Sequence, residues 1–165
     1  MAMKRLLIVW HSRTGGSEAL ALAAARGALA APDVQLDVRR AQDVDAATLL
    51  AADAYLFAAP ENLASLSGAM KEMFDRHYYA VLGRIEGRPY ATIICAGSDG
   101  TGAQRQLDRI ATGWRLRRVT EGMIVITGAQ TGEAIWAAKV IGTADLAAAE
   151  ELGAALAAGL AAGVF

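Results

Sequence analysis

At 165 residues, without a composition shift or flexible linker, the sequence reads as one domain, long enough to bury about two thirds of its unfolded surface. A formal net charge of −1, from 16 Lys and Arg against 17 Asp and Glu, gives no broad field to attract nucleic acid or an anionic membrane. One cysteine, Cys95, excludes an internal disulfide, and two histidines, His11 and His77, argue against a zinc site, so a reducing, cytoplasmic setting without metal is expected.

Apolar runs alternate with helix-like segments along the chain, the pattern of a parallel sheet covered on both faces. Residues 4–10 predict the first strand, and the run ends at His11, too soon for a secretory leader. An alanine-rich helix is expected over 17–31, closed by Pro32 and Asp33. Residues 34–38 alternate apolar and polar as a half-exposed edge strand does, and a short helix is expected over 45–52. The unbroken run 54–59 predicts a central strand stopped by Pro60. A polar loop over 61–67 and a helix over 68–82 follow, with Gly83, Gly87 and Pro89 marking the return. Residues 90–96 predict another buried strand, running into the glycine-rich loop 97–102 and a helix over 103–113. The last strand is expected at 123–126 and the last helix over 144–160, whose leucine spacing and Glu150 and Glu151 suit a packed amphipathic helix rather than a membrane span. Residues 127–143 exceed a usual connection, which points to local structure or a functional role. The expected fold is α/β: a three-layer, doubly wound, five-stranded parallel sheet in strand order 2-1-3-4-5, one domain over residues 1–165.

In such sheets ligands bind beyond the carboxyl ends of the strands, where strand order switches. Three loops leave from those ends. The first, Ser12, Arg13, Thr14, Gly15, Gly16 and Ser17, joins a strand to a helix, so its free amides and the positive helix end suit an anion. A plain helix cap by Ser17 is the competing reading. The second starts with Pro60, Glu61 and Asn62, and the third is Gly97, Ser98, Asp99, Gly100, Thr101 and Gly102. Small residues there let the backbone approach a flat ligand closely.

Residues 12–17 look like the flavodoxin phosphate loop of the form T/S-x-T-G-x-T/S. Pro60-Glu61-Asn62, with the segment 67–76, resembles the second loop and following helix of flavodoxin-like NAD(P)H-dependent oxidoreductases, the FMN reductase and quinone reductase group. The loop 97–102 sits where that group's ring-contacting loop falls, and the resemblance spans roughly residues 3–109. It implies a flavodoxin-like fold with FMN as cofactor and NADH or NADPH as co-substrate. Ser12, Arg13, Thr14, Gly15, Gly16 and Ser17 would hold the phosphate. Pro60, Glu61 and Asn62 would border the ring on one side, and Gly97, Ser98, Asp99, Gly100, Thr101 and Gly102 on the other. Electrons would pass from NAD(P)H through the flavin to a quinone or similar small acceptor. No catalytic side chain is assigned, because the cofactor supplies the chemistry. A homodimer or homotetramer is a further implication, with Phe74, Tyr78 and Tyr79 as a candidate contact.

The second and third loops lack the aromatic residues that cover the ring in electron-transfer flavodoxins, which favours an enzyme. A flavodoxin-type carrier and a non-flavin phosphate-binding protein remain the alternatives. Other residues have an ordinary role beside a functional one. Cys95 reads as inert core, His11 as packing or a group near the flavin, and His77 as core or a proton donor. Arg115, Arg117 and Arg118 read as a solvated run or a site for the NADPH 2′-phosphate, and Trp136 as core or a site cover.

Overall fold

The computed structural model describes residues 2–165. Its strands are β1 (Lys4–Trp10), β2 (Val34–Arg40), β3 (Ala54–Asn62), β4 (Ser65–Leu66), β5 (Pro89–Ala96), β6 (Arg117–Arg118) and β7 (Met123–Ile126). The helices are α1 (Gly16–Ala28), α2 (Ala46–Ala51), α3 (Gly68–Val81), α4 (Thr101–Gly113), α5 (Gly132–Trp136) and α6 (Thr143–Ala161). Spatial order is β2-β1-β3-β5, with β6 and β7 forming the outer strand beside β5, and all these pairings are parallel. Counted by principal strands this is the flavodoxin-like order 2-1-3-4-5. Among the described residues no helix is long and apolar enough to cross a membrane, and no group of three His, Cys, Asp or Glu could hold a metal ion.

Successive strand side chains point to opposite faces, and here both faces are buried, so the strands read as unbroken apolar runs. Leu6, Ile8, Leu56, Ala58, Ile93 and Cys95 face α1 and α6. Leu7, Val9, Tyr55, Phe57, Tyr90 and Ile94 face α3 and α4, where Phe74 and Trp114 complete an aromatic layer. Burying each large side chain there contributes about 1.5–3 kcal/mol. Phe74 is therefore core, which leaves only Tyr78 and the exposed Tyr79 of the expected contact cluster at the surface.

Three departures from the sequence reading matter. Pro60 does not end β3, which runs to Asn62 and turns back through Leu63 and Ala64 into β4. At Pro60 the strand pairs with Cys95 of β5 while β1 has already ended, so a missing N–H breaks no central ladder. The fifth strand is interrupted: between Tyr90↔Arg118 and Ile93↔Met123, the two β5 residues 91–92 face the four residues 119–122. Gly122 lies in that bulge because a Cβ there would strike the Gln104 side chain, whose Oε1 accepts from Thr92 Oγ1 at 2.9 Å. Finally, Arg115, Arg117 and Arg118 stand at the amino end of the sheet, where Arg117 pairs with Pro89, opposite to the three loops. Arg118 bonds Asp108 there.

Candidate functional site

The carboxyl ends of β1, β3 and β5 bring the three loops together. The first opens with Ser12 Oγ accepting from the Gly15 amide at 3.0 Å. Gly15 lies in the left-handed region, φ 95°, which swings the following amides toward the α1 N-terminus. The amides of Arg13, Thr14, Gly16, Ser17 and Glu18 meet no acceptor among the described residues. Ser17 is not a helix cap. It sits inside the first turn, buried, and its Oγ is without a hydrogen-bond partner among the described residues. A buried hydroxyl left unpaired costs about 1–3 kcal/mol, so its presence beside five free amides calls for an acceptor. Gly16 rests on β5: a Cβ there would lie 2.7 Å from Cys95 Sγ. Cys95 is buried, and burial pushes its thiol up against the opposing influence of the Lys139 charge, so it is a floor for the loop and no thiolate.

Loops one and two are joined by His11 Nδ1 and Ser67 Oγ, hydrogen-bonded at 2.8 Å, with Ser67 fully buried. Burial, and secondarily the Arg13 charge, hold the His11 imidazole below its ordinary 6.5. Loops two and three are joined by Glu61. Its carboxylate accepts from the Gly100 amide at 2.9 Å and from the Ala103 amide at 3.0 Å, capping α4 from another strand. Asp99 accepts from the Thr101 hydroxyl at 2.8 Å in the same turn. The α4 N-terminus thus has two carboxylates accepting in its first turn, whereas at α1 the one first-turn carboxylate, Glu18, accepts from no amide among the described residues. The amides of Ser98 and Asp99 meet no acceptor among the described residues, and Asn62 ends β3.

The turn beyond Asn62 places Leu63 and Ala64 at φ 52° and 59°, a conformation costing about 1–3 kcal/mol for a non-glycine residue. Gln106 of α4 holds it, its Oε1 accepting from Ser65 Oγ at 2.6 Å and from the Leu66 amide at 2.7 Å. Gly102 is bare because the Ala64 carbonyl occupies the place of its Cβ. On the other flank the segment after β7 closes the ring. Gly128 donates to the Gly97 carbonyl at 2.9 Å, and the Lys139 amide donates to the Thr14 carbonyl at 2.8 Å. Trp136 in this segment is 85% exposed and so is not core. His77 is core: buried on α3, its Nε2 lies 2.9 Å from the Val44 carbonyl. Two hollows mark the surface: one of about 390 Å³ beside β2 and α2, away from the loops, and an open one of about 480 Å³ against Gly102, Arg105, Gln106 and Arg109.

Residues 41–131, more than half of the chain, match the model of the NADPH-dependent FMN reductase family. The chain belongs to that family. As a family member it is a flavin-binding oxidoreductase of flavodoxin-like fold, with FMN as its cofactor. No curated protein matches it in sequence. Among solved structures it resembles a flavodoxin from the domain Archaea, with a TM-score of 0.76 at 16% identity over 94% of this chain and 98% of the other. A WrbA-like flavodoxin protein from Agrobacterium tumefaciens gives 0.63 at 20% identity over 94% and 96%. A flavodiiron core from Synechocystis gives 0.77 at 15% identity over 98% of this chain but 37% of that one. At these identities the likeness is one of fold. The first loop of this family member fits a phosphate by its own chemistry: amides that meet no acceptor and a buried hydroxyl that meets no partner among the described residues, at the positive end of α1.

Sequence reasoning missed Ser67, Lys139 and the capping duty of Glu61. Their partners lie tens of residues away, so no local pattern marks them.

Proposed function

We propose that the chain transfers electrons from NADH or NADPH through bound FMN to a quinone or similar small acceptor, working in the cytoplasm. The observation that carries this reading is the first loop, where five amides meet no acceptor and the buried Ser17 hydroxyl meets no partner among the described residues. Ser12, Arg13, Thr14, Gly15, Gly16 and Ser17 hold the phosphate. Pro60 and Asn62 border the ring on one side and Gly97, Ser98, Asp99 and Thr101 on the other, with Glu61 and Gly100 bracing the two loops against each other. Bound FMN supplies the hydride and electron chemistry. The chain's part is to orient two flat molecules and keep one face open. Loops 60–67 and 97–102 carry no aromatic residue to cover that face, which leaves room for a nicotinamide and then an acceptor to approach within about 3–3.5 Å.

The fold likeness to flavodoxins favours a second reading, an electron carrier without NAD(P)H activity. One experiment separates the two: the visible spectrum of the FMN-loaded protein before and after anaerobic NADH or NADPH. Loss of the flavin band near about 450 nm, followed by its return on adding a quinone, supports the reductase. A band that neither nucleotide bleaches supports the carrier, and a chain that takes up no FMN overturns both.

A further inference from the structure

We propose that Lys139 is a second cation, beside Arg13, that meets the cofactor phosphate, reaching it by giving up a cap it makes on α5. This rests on the reading that the first loop holds the phosphate of FMN. At neutral pH such a group carries roughly −1.5 to −2 charges, while a helix N-terminus offers about half a positive charge. Arg13 in the loop brings one full charge, and a second cation nearby would balance a dianion. The backbone of Lys139 is already fixed at the loop: its amide donates to the Thr14 carbonyl at 2.8 Å, and its Cβ lies 3.5 Å from the place of a Cβ on Gly16. In the same loop the Ser17 hydroxyl is buried and without a partner among the described residues. The Lys139 charge is felt at Cys95, directly beneath Gly16, where Asp145 of α6 opposes it.

The ammonium has no carboxylate partner among the described residues. It donates instead to the carbonyls of Ala134, Ile135 and Ala137 at 2.9, 2.9 and 2.6 Å, closing the carboxyl end of the five-residue α5. Neutral carbonyls are weaker partners for a cation than a phosphate dianion is. The stem is flexible, so exchange needs only side-chain rotation about a backbone that stays in place. The cost is an uncapped α5, a short helix with no buried residue. Phosphate binding and the order of α5 are therefore coupled through one side chain.

The test compares FMN with riboflavin, which lacks the phosphate, in fluorescence titrations of the wild type, K139Q and K139R. K139Q keeps donors for the carbonyls but loses the charge, and is expected to bind FMN about tenfold more weakly with riboflavin affinity unchanged. K139R is expected to keep the preference for FMN. Equal weakening toward both flavins marks a purely structural role and overturns the proposal, as does a K139Q that retains the full preference. Acetylation of Lys139 in the wild type, followed by mass spectrometry, needs no variant: FMN should slow it and riboflavin should not. Equal rates with both overturn the proposal. A wild type that binds riboflavin as tightly as FMN overturns the phosphate assignment and this inference with it, whereas the NAD(P)H reading is decided separately by the spectrum.

Discussion

Gly15 holds φ 95° with open space where a Cβ would stand, so a side chain there meets the backbone cost and the mouth of the first loop but no neighbour. Gly15→Leu is expected to destabilise the chain by about 1–3 kcal/mol and to weaken FMN binding far more than riboflavin binding. Circular dichroism with a flavin titration checks both. His11 supplies a pH dependence. Its folded-state value lies below 6.5, so above that pH both states are neutral there and its contribution to stability is complete. As the pH falls through 6.5 the unfolded chain takes a proton that the folded chain refuses, and stability drops until the folded value is reached. Melting curves between about pH 8 and 5 should therefore fall more steeply for the wild type than for His11→Gln. At this scale the glycines and the His11 neighbourhood were legible, since Gly15 and Gly16 stand at a strand-to-helix turn. The Ser67 partner was not, because it arrives 56 residues later.

Helices α1 and α6 cross at glycine. A Cβ on Gly27 would strike the Glu150 carbonyl, and one on Gly153 the Ala24 carbonyl, so the two backbones touch with no side chain between them. Gly153→Val is expected to cost about 3 kcal/mol, since backbone cannot yield as a side-chain tip can. That lowers the melting temperature by about 6–12 °C, readable by calorimetry, with the site residues untouched. The elements were legible because strands buried on both faces read as continuous apolar runs. Their ends were less so. Helix α1 stops at Ala28 rather than Ala31, and β3 outruns Pro60 because the ladder it would have broken is already over. Nothing in Leu63-Ala64 announces a tight turn, since such turns usually carry Asn and Gly. Helix α5 has five residues, too few to show periodicity.

At the scale of the molecule, the loops, hairpin and α5 segment form one ring joined by His11–Ser67, Glu61–Gly100, Gly97–Gly128 and Thr14–Lys139. A ligand that binds only this assembled ring stabilises the whole fold. At 100 times its dissociation constant FMN should add about 2.7 kcal/mol, and raise the melting temperature by about 5–11 °C. Gly15→Leu should lose most of that rise at the same FMN concentration. The topology of the ring follows from strand order, whereas its fastenings are long-range contacts and could only be seen folded. The outer strand has a further consequence for life in a crowded solution. A long, flat strand edge invites another chain to add itself by main-chain pairing, the first step toward aggregates. Here the edge is split into segments of two and four residues by the bulge at 119–122, and arginines sit on the first piece. The bulge that seats Gly122 against the Gln104 side chain thereby also denies self-association a straight template.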